Sequence, residues 1–243
     1  MIVPGRNLER GTELVEELLA DGSGRARFYQ ADLGSLDEVR ALARAVLRDY
    51  DRLDVLVNNA GIFLDGPRRM STDGHELHFA VNYLAGYLLT FELLPLLKAS
   101  APARIVHVAS IAQQDIDFDD PMMDRGYTGG RGYAQSKLAQ IIFSMDLADE
   151  LEGSGVTTNA VHPATLMDTD MVLELSMPVR SSVEDGADSL MNLIDGGDVG
   201  SGGYFDERMA AVANAQAYDA DAQRRLRELS VRLTGVGGES GGR

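Results

Sequence analysis

The sequence contains no cysteine and no tryptophan, and only Lys98 and Lys137 among its 22 basic residues are lysines. Without cysteine there can be neither a disulfide framework nor a thiolate metal site, and we predict no metal centre. Positive charge is scarce, because 38 acidic residues outnumber the 22 basic ones and give a net charge of −16. Such a surface repels phosphate backbones and anionic membranes, so we expect no nucleic-acid partner. A small molecule is the better candidate.

Long apolar runs are also lacking. The most apolar stretch, residues 84–97, is interrupted by Gly86, Thr90, Glu92 and Pro95, so we expect no run of the roughly 20 residues that a membrane span needs. The first residues do not place a long apolar region behind a basic one, which argues against a signal peptide. The sequence therefore predicts a soluble, cytoplasmic protein without a membrane partner.

Short apolar runs alternate with longer segments of helical periodicity. Strands are predicted near residues 2–4, 26–29, 55–58, 104–109, 157–161 and 203–205, and helices near residues 8–20, 36–50, 75–98, 133–152 and 183–194. This alternation is typical of a parallel sheet covered by helices on both faces, so we predict a doubly wound, Rossmann-like α/β fold. Ser35 and Ser182 predict two of the helix starts, since each is followed three residues later by an acidic side chain. We expect a single domain over residues 1–235 and a flexible tail over residues 236–243.

Two segments break this periodicity, residues 113–132 and residues 164–182. Long irregular segments in a compact domain often form lids or substrate walls. Five methionines lie in them, and flexible thioethers suit an adaptable apolar wall, although filling gaps in the core is their more common role. These residues are Met122, Met123, Met167, Met171 and Met177.

A phenol and an ammonium group lie four residues apart at a predicted helix start, in Tyr133 and Lys137. This spacing puts both side chains on one helix face. A free phenol titrates near pH 10, so a tyrosine exchanges protons near neutrality only if its anion is stabilised, and an adjacent ammonium lowers its pKa. On spacing alone, a solvated helix face is the more common explanation of such a pair.

Polar residues also follow two predicted strands, residues 55–58 and residues 104–109. Ligands of open α/β sheets bind at the carboxyl ends of the strands. The combination resembles the catalytic tetrad and the neighbouring strand end of the short-chain dehydrogenase/reductase family. The resemblance is carried by Asn58, Asn59, Ala60, Gly61, Asn82, Ser110, Tyr133 and Lys137. It extends over nearly the whole chain, and shorter matches at residues 6–8, 72–76, 136–139, 203–205 and 224–226 are similar to the retinol-dehydrogenase-like branch.

The resemblance implies an oxidoreductase that transfers a hydride between NADP(H) and a ketone, an aldehyde or an alcohol. Tyr133 would protonate the substrate oxygen or remove its proton, and Ser110 would hydrogen-bond the same oxygen. Lys137 would hold the nicotinamide ribose and favour the tyrosinate. Asn82 would anchor a water relay to Lys137. The family also implies a homo-oligomer through the helices near residues 83–97 and 138–151.

The end of the first strand favours NADP(H), because it offers the guanidinium of Arg6 and no carboxylate. Pairing of Arg6 with a surface acid is the alternative. Asp32 would contact the adenine, with helix capping as its alternative. The implied cofactor-binding residues are Arg6, Asp32, Leu33, Asn59, Ala60, Gly61, Tyr133, Lys137, Pro163 and Thr165, with Thr169 as an alternative to Thr165. His162 is interpreted as a packed histidine.

The family's first strand and its glycine-rich turn are missing from this sequence. That turn supplies backbone N–H groups to the pyrophosphate, and the strand would lie between the strands at residues 2–4 and 55–58. A longer natural protein, direct pairing of the two flanking strands, or a second chain could fill the gap. The site could therefore also belong to a cofactor-free dehydratase, isomerase or cyclase, and a non-catalytic scaffold is a third alternative.

Overall fold

A computed structural model describes residues 1–20, 22 and 24–237 of the chain. The strands in this part are β1 (Ile2–Gly5), β2 (Arg27–Gln30), β3 (Val55–Asn58), β4 (Ala103–Val108), β5 (Val156–His162), β6 (Tyr204–Asp206) and β7 (Met209–Ala210). The helices are α1 (Leu8–Ala20), α2 (Leu36–Asp49), α3 (Ala85–Ala99), α4 (Gly129–Glu150), α5 (Asp170–Glu174), α6 (Val183–Asp195) and α7 (Ala220–Thr234). A π-helix, Phe79–Leu84, runs into α3, and a 3₁₀ helix, Ala215–Tyr218, precedes α7.

The larger sheet contains β3 to β7 in chain order, parallel except for β7 at the edge. Alternate residues of β4 and β5 face opposite sides, as strand geometry requires. Ile105 and Ala160 pack with α3 and α4 in the main core. Val106 and Val161 pack with Leu193 of α6 on the other face. The predicted α/β fold with helices on both faces is confirmed.

A second, smaller sheet contains β1 and β2, which pair in parallel. Within the described residues, β1 pairs only with β2, and β3 pairs only with β4. The direct pairing of β1 with β3, one of three expected ways to fill the gap, is therefore wrong for this part of the chain. The longer protein and the second chain remain as alternatives. Both open edges carry half-buried side chains, among them Ile2, Val55 and Val57.

The π-helix and α3 form one apolar stretch, Phe79–Ala99, of 21 residues with a mean hydropathy of 1.4. By length and composition this stretch could cross a membrane, so the expectation that no segment is long enough is wrong. The helix lies inside the protein, because 67% of its most apolar window is buried. It packs against α2 and contributes Tyr83, Leu88 and Leu97 to the main core.

Most predicted element bounds agree with the structure, including the caps. Ser35 Oγ accepts from the N–H of Glu38 at 3.4 Å, and Ser182 forms a reciprocal capping box with Asp185. The sequence did not predict α5, α7 or β7, and α4 begins at Gly129, four residues before the predicted start. The charged, exposed face of α7 obscures its apolar periodicity in the sequence. On the other face of α7, Leu226 and Leu229 are buried.

The predicted tail divides between described and undescribed residues. Val236 packs half-buried against the core, and its carbonyl accepts a hydrogen bond from the Tyr87 hydroxyl at 3.1 Å. The flexibility of the tail stays a prediction. Residues 238–243 of the predicted tail lie outside the described residues.

Candidate active site

A cavity of about 710 Å³ opens at the carboxyl ends of β3, β4 and β5, where ligands of open parallel sheets bind. It contains three of the four predicted catalytic residues, Ser110, Tyr133 and Lys137. Five further predicted cofactor residues also line it, namely Asn59, Ala60, Gly61, Pro163 and Thr165. The structure thus brings together residues that are up to 106 positions apart in the chain, Asn59 and Thr165.

Tyr133 lies near the start of α4, which Thr128 caps by accepting a hydrogen bond from the N–H of Arg131 at 3.2 Å. The ring of Phe63 packs against the phenol ring, with 5.2 Å between centroids. Burial raises the pKa of Tyr133 above its ordinary value of 10, and the Ser110 hydroxyl beside the phenol opposes this shift. At neutral pH the phenol therefore carries its proton.

Lys137 is only 3% exposed. Its Nζ donates to the carbonyl of Val108 at 2.7 Å and to Gln140 Oε1 at 3.0 Å, and stands 5.6 Å from the centre of the Tyr133 ring. Burial lowers the pKa of Lys137 to about 7. Desolvation dominates the pKa of Tyr133, and Lys137 is not among the groups that shift it here. That Lys137 favours the tyrosinate stays a prediction.

Asn82 lies in the π-helix, a feature frequent at functional sites. Its side chain accepts from the N–H of Ile62 at 2.8 Å and donates to the Ile62 carbonyl at 3.1 Å and to Ser136 Oγ at 2.9 Å. A Cβ at Gly61 would lie 3.3 Å from Lys137 Nζ. Asn82 thus holds the loop after β3 close to Lys137 and ties it to α4. The water relay stays a prediction.

At the end of β5, His162 is buried and lies beside Thr165, with 3.1 Å between Nε2 and Oγ1. Burial lowers the pKa of His162, and its low exposure agrees with the packed histidine that the sequence predicted. His162 nevertheless also lines the cavity. Thr165 and Thr169 both line it, so the choice between them stays open.

The predicted adenosine contacts lie apart from this cavity. Arg6 and Asp32 line a second cavity of about 200 Å³, whereas Leu33 packs partly buried against the core and is not among its lining residues. Asp32 Oδ1 accepts from the N–H of Gly34 at 2.8 Å, and Ser35 caps α2, so capping by Asp32 is wrong. Arg6 is exposed and forms no ion pair within the described residues, so pairing with a surface acid is not observed there.

The five methionines divide between two environments. Met167, Met171 and Met177 line the cavity, as the substrate-wall hypothesis requires. Met123 is fully buried and fills the core, and Met122 packs partly buried against it. The wall hypothesis is therefore wrong for these two.

Three residues beside the site were not predicted. Glu76 and His78 are completely buried, with 2.8 Å between Oε1 and Nδ1, and Phe63 covers Tyr133. The sequence offered one signal, the run at residues 72–76, which was used only as a mark of similarity. In the sequence, a glutamate two positions before a histidine could have suggested a structural pair.

A model of the short chain dehydrogenase family matches residues 1–178. The chain belongs to this family. It is 35% identical to human retinol dehydrogenase 11, over 95% of this chain and 76% of the relative, and 36% identical to human retinol dehydrogenase 14, over 95% and 73%. The chain is thus an oxidoreductase of the short-chain dehydrogenase type.

Solved structures agree with this assignment. A protein from Mycobacterium paratuberculosis superimposes with a TM-score of 0.78 at 26% identity, over 97% of this chain and 84% of that one. A short chain dehydrogenase from Burkholderia cenocepacia in complex with NADP gives a TM-score of 0.67 at 26% identity, over 84% of each chain. The family uses a nicotinamide dinucleotide.

The residues present fit the nicotinamide half of such a cofactor. The backbone at Gly61 lies close to Lys137, where a Cβ would be 3.3 Å from Nζ, and Pro163 and Thr165 also line the cavity. The phosphate half is different. Among the described residues between β1 and β3, no glycine-rich turn opens a helix. The described residues there therefore do not include the backbone N–H groups that would hold the pyrophosphate.

Proposed function

We propose that this short-chain dehydrogenase interconverts a ketone or aldehyde with its alcohol, using NADP(H), with Tyr133 as the general acid and base. The observation that carries the proposal is the convergence of Ser110, Tyr133 and Lys137 on one cavity at the strand ends. Bound NADP(H) supplies or accepts the hydride. The chain's own residues supply the proton and fix the position of the substrate oxygen.

The raised pKa of Tyr133 favours carbonyl reduction near neutral pH, because the phenol then holds the proton that the substrate oxygen needs. Ser110 lies beside the phenol and donates a second hydrogen bond to the same oxygen. Oxidation of an alcohol requires the phenolate. We therefore expect oxidation to speed up with rising pH, whereas reduction does not.

Lys137 would hold the nicotinamide ribose hydroxyls, since its ammonium lies at the cavity surface beside Gly61. Arg6 would bind the additional phosphate that distinguishes NADP from NAD. An apolar carbonyl compound suits the wall formed by Met167, Met171 and Met177. The names of the relatives, retinol dehydrogenases, agree with a lipophilic substrate. A cytoplasmic location and self-association through α3 and α4 stay predictions.

Nicotinamide fluorescence during titration with NADPH, followed by turnover of a panel of apolar aldehydes and ketones, tests the proposal. Tyr133→Phe should lower kcat by about 10²- to 10⁴-fold, the usual contribution of proton transfer, while NADPH still binds. Tyr218→Phe is the matched control, because this exposed tyrosine lies outside the cavity.

Two results would contradict the proposal in different ways. If NADPH does not bind but Tyr133→Phe abolishes conversion of a carbonyl compound, the chain acts by acid/base chemistry without a dinucleotide. If neither NADPH binding nor any conversion is found, the scaffold alternative gains support.

A further inference from the structure

We propose that His78, held by Glu76, is a positioning residue that fixes the loop carrying Phe63 over Tyr133. This inference rests on the proposed function for its kinetic readout only. The pair lies outside the cavity, since neither side chain lines it, and both are 0% exposed. A fully buried carboxylate persists in a fold only when its oxygens are satisfied.

The carboxylate of Glu76 is saturated by local donors. Oε1 accepts from the backbone N–H of His78 at 3.0 Å and lies 2.8 Å from His78 Nδ1. Oε2 accepts from the N–H of Phe79 at 2.8 Å, at the first residue of the π-helix. Glu76 therefore anchors the start of the helix that carries Asn82 and orients the imidazole as well.

The hydrogen bond at the second imidazole nitrogen, Nε2, determines the tautomer of His78. The backbone N–H of Leu64 donates to His78 Nε2 at 2.9 Å, so Nε2 must offer a lone pair. The ring proton then lies on Nδ1 and is donated to Glu76. Only this neutral tautomer satisfies both partners.

The loop that His78 holds rests directly on the start of α4. A Cβ at Gly129 would lie 2.1 Å from the Leu64 carbonyl oxygen, and a Cβ at Gly132 would lie 2.8 Å from His78 Nδ1. These distances are too short for a side chain at either position, so both positions require glycine. The ring of Phe63, one residue before Leu64, packs against Tyr133 at 5.2 Å and edge-on to His78 at 6.2 Å.

Residues 62–64 are thus fixed at both ends, by Asn82 at Ile62 and by His78 at Leu64. With the Leu64 bond removed, Phe63 is free to move, and the phenol loses both its fixed orientation and part of its cover from water. Such a change acts on kcat, because misplacement of about 1 Å can cost about 10²-fold in rate. Substrate binding by the methionine wall is left unchanged, because the hydrogen bonds of His78 and Glu76 involve none of its residues.

The test compares three variants of the full chain. His78→Leu removes the acceptor for Leu64. His78→Gln keeps an amide oxygen that can accept from the same N–H. His107→Leu is the control, because His107 is equally buried in the sheet but contacts Asn58 and Phe143 rather than the site loop.

We expect His78→Leu to lower kcat by about tenfold, within the ~10²-fold bound above, with less than a threefold change in KM (about 0.7 kcal/mol). The limb of the pH profile that reports Tyr133 should move to lower pH as the phenol becomes less buried. His78→Gln should recover most of kcat. Hydrogen exchange of the peptides covering residues 62–66 and 129–133 should accelerate in His78→Leu only.

The proposal is overturned if His78→Leu and His107→Leu lose stability alike while kcat, the pH limb and the exchange of residues 62–66 stay at parent values. Should His78→Leu not fold, Phe63→Leu takes its place and must show the same fall in kcat and the same shift of the pH limb. Hydrogen exchange needs no turnover. A parent protein without dehydrogenase activity therefore contradicts the proposed function, whereas unchanged exchange in His78→Leu contradicts the role of His78.

Discussion

The two ends of the proposed cofactor cleft are built differently. At the proton-transfer end, β4 and β5 are almost entirely buried, and α4 buries side chains on more than one face, including Lys137 and Ser144. At the nucleotide end, β1 is half-buried at best, and α1 buries only Gly11, which lies against the ring of Phe28. The proton-transfer end is therefore part of the hydrophobic core, whereas the nucleotide end is mostly exposed.

This difference matters because catalytic geometry depends on side chains whose positions are locked by packing. Ser110 follows the end of β4, and Tyr133 and Lys137 lie on α4; both elements belong to the main core. Arg6 and Asp32 stand at the ends of β1 and β2, beside the open strand edges. The proposed proton-transfer residues are therefore held by the main core, whereas the proposed nucleotide contacts are held by the smaller sheet.

The largest expected effect is on stability, where the two ends can be compared with the same substitution. Leu138→Ala, at a fully buried position in α4, should lower the free energy of unfolding by about 2–5 kcal/mol. Leu14→Ala, at a position of α1 that is 41% exposed, should change it by no more than about 0.5 kcal/mol. Urea unfolding followed by circular dichroism measures both. Similar losses in the two variants would show that α1 is as integrated as α4, and the contrast between the ends would fail.

Much of this contrast could be predicted from the sequence. The strand ends carry Ser110 and the run at residues 58–61, and the spacing of Tyr133 and Lys137 puts them on one helix face. Periodicity places these residues on their elements, but the resemblance to a known family was needed to interpret them as one site. The direction of the Tyr133 pKa was not predictable, because it depends on burial under Phe63, which is 70 positions earlier in the chain. The Glu76 and His78 pair was missed for the same reason.

The next largest expected effect is on the pH dependence of stability, which should differ between variants of the two lysines, Lys137 and Lys98. Lys137 is buried with its pKa lowered to about 7, whereas in an unfolded chain a lysine titrates near 10.4. Between these values the unfolded state binds one proton more, so stability should rise with pH from 7 to 10 by about 1.4 kcal/mol per pH unit. Lys137→Met should remove this slope. Below pH 7 Lys137 is protonated in both the folded and the unfolded state of the parent protein, so its contribution to the slope vanishes there.

Lys98→Met is the matched control for this measurement, since Lys98 is exposed at the end of α3. Its pH slope should equal that of the parent protein. The urea concentrations at the unfolding midpoint, measured at pH 7, 8 and 9, are sufficient to compare these slopes. Parallel profiles for the parent and Lys137→Met would mean that Lys137 keeps its proton throughout, and that the buried end does not lower its pKa.

The smallest expected effect concerns the exposed end. If Arg6 binds the additional phosphate of NADP, Arg6→Ala should weaken NADPH binding by about tenfold, near 1.4 kcal/mol, and leave NADH binding unchanged. The effect is modest because Arg6 is exposed and its charge is screened, and because Asp32 lines the same small cavity with a like charge to the phosphate. Arg44→Ala, on the exposed face of α2, removes the same charge elsewhere. The difference between Arg6→Ala and Arg44→Ala should shrink from 50 mM to 500 mM salt, conditions chosen to span the screening range. Equal weakening of NADPH and NADH by Arg6→Ala would instead indicate that Arg6 supports the fold of β1, and the selectivity for NADP would have to come from another residue.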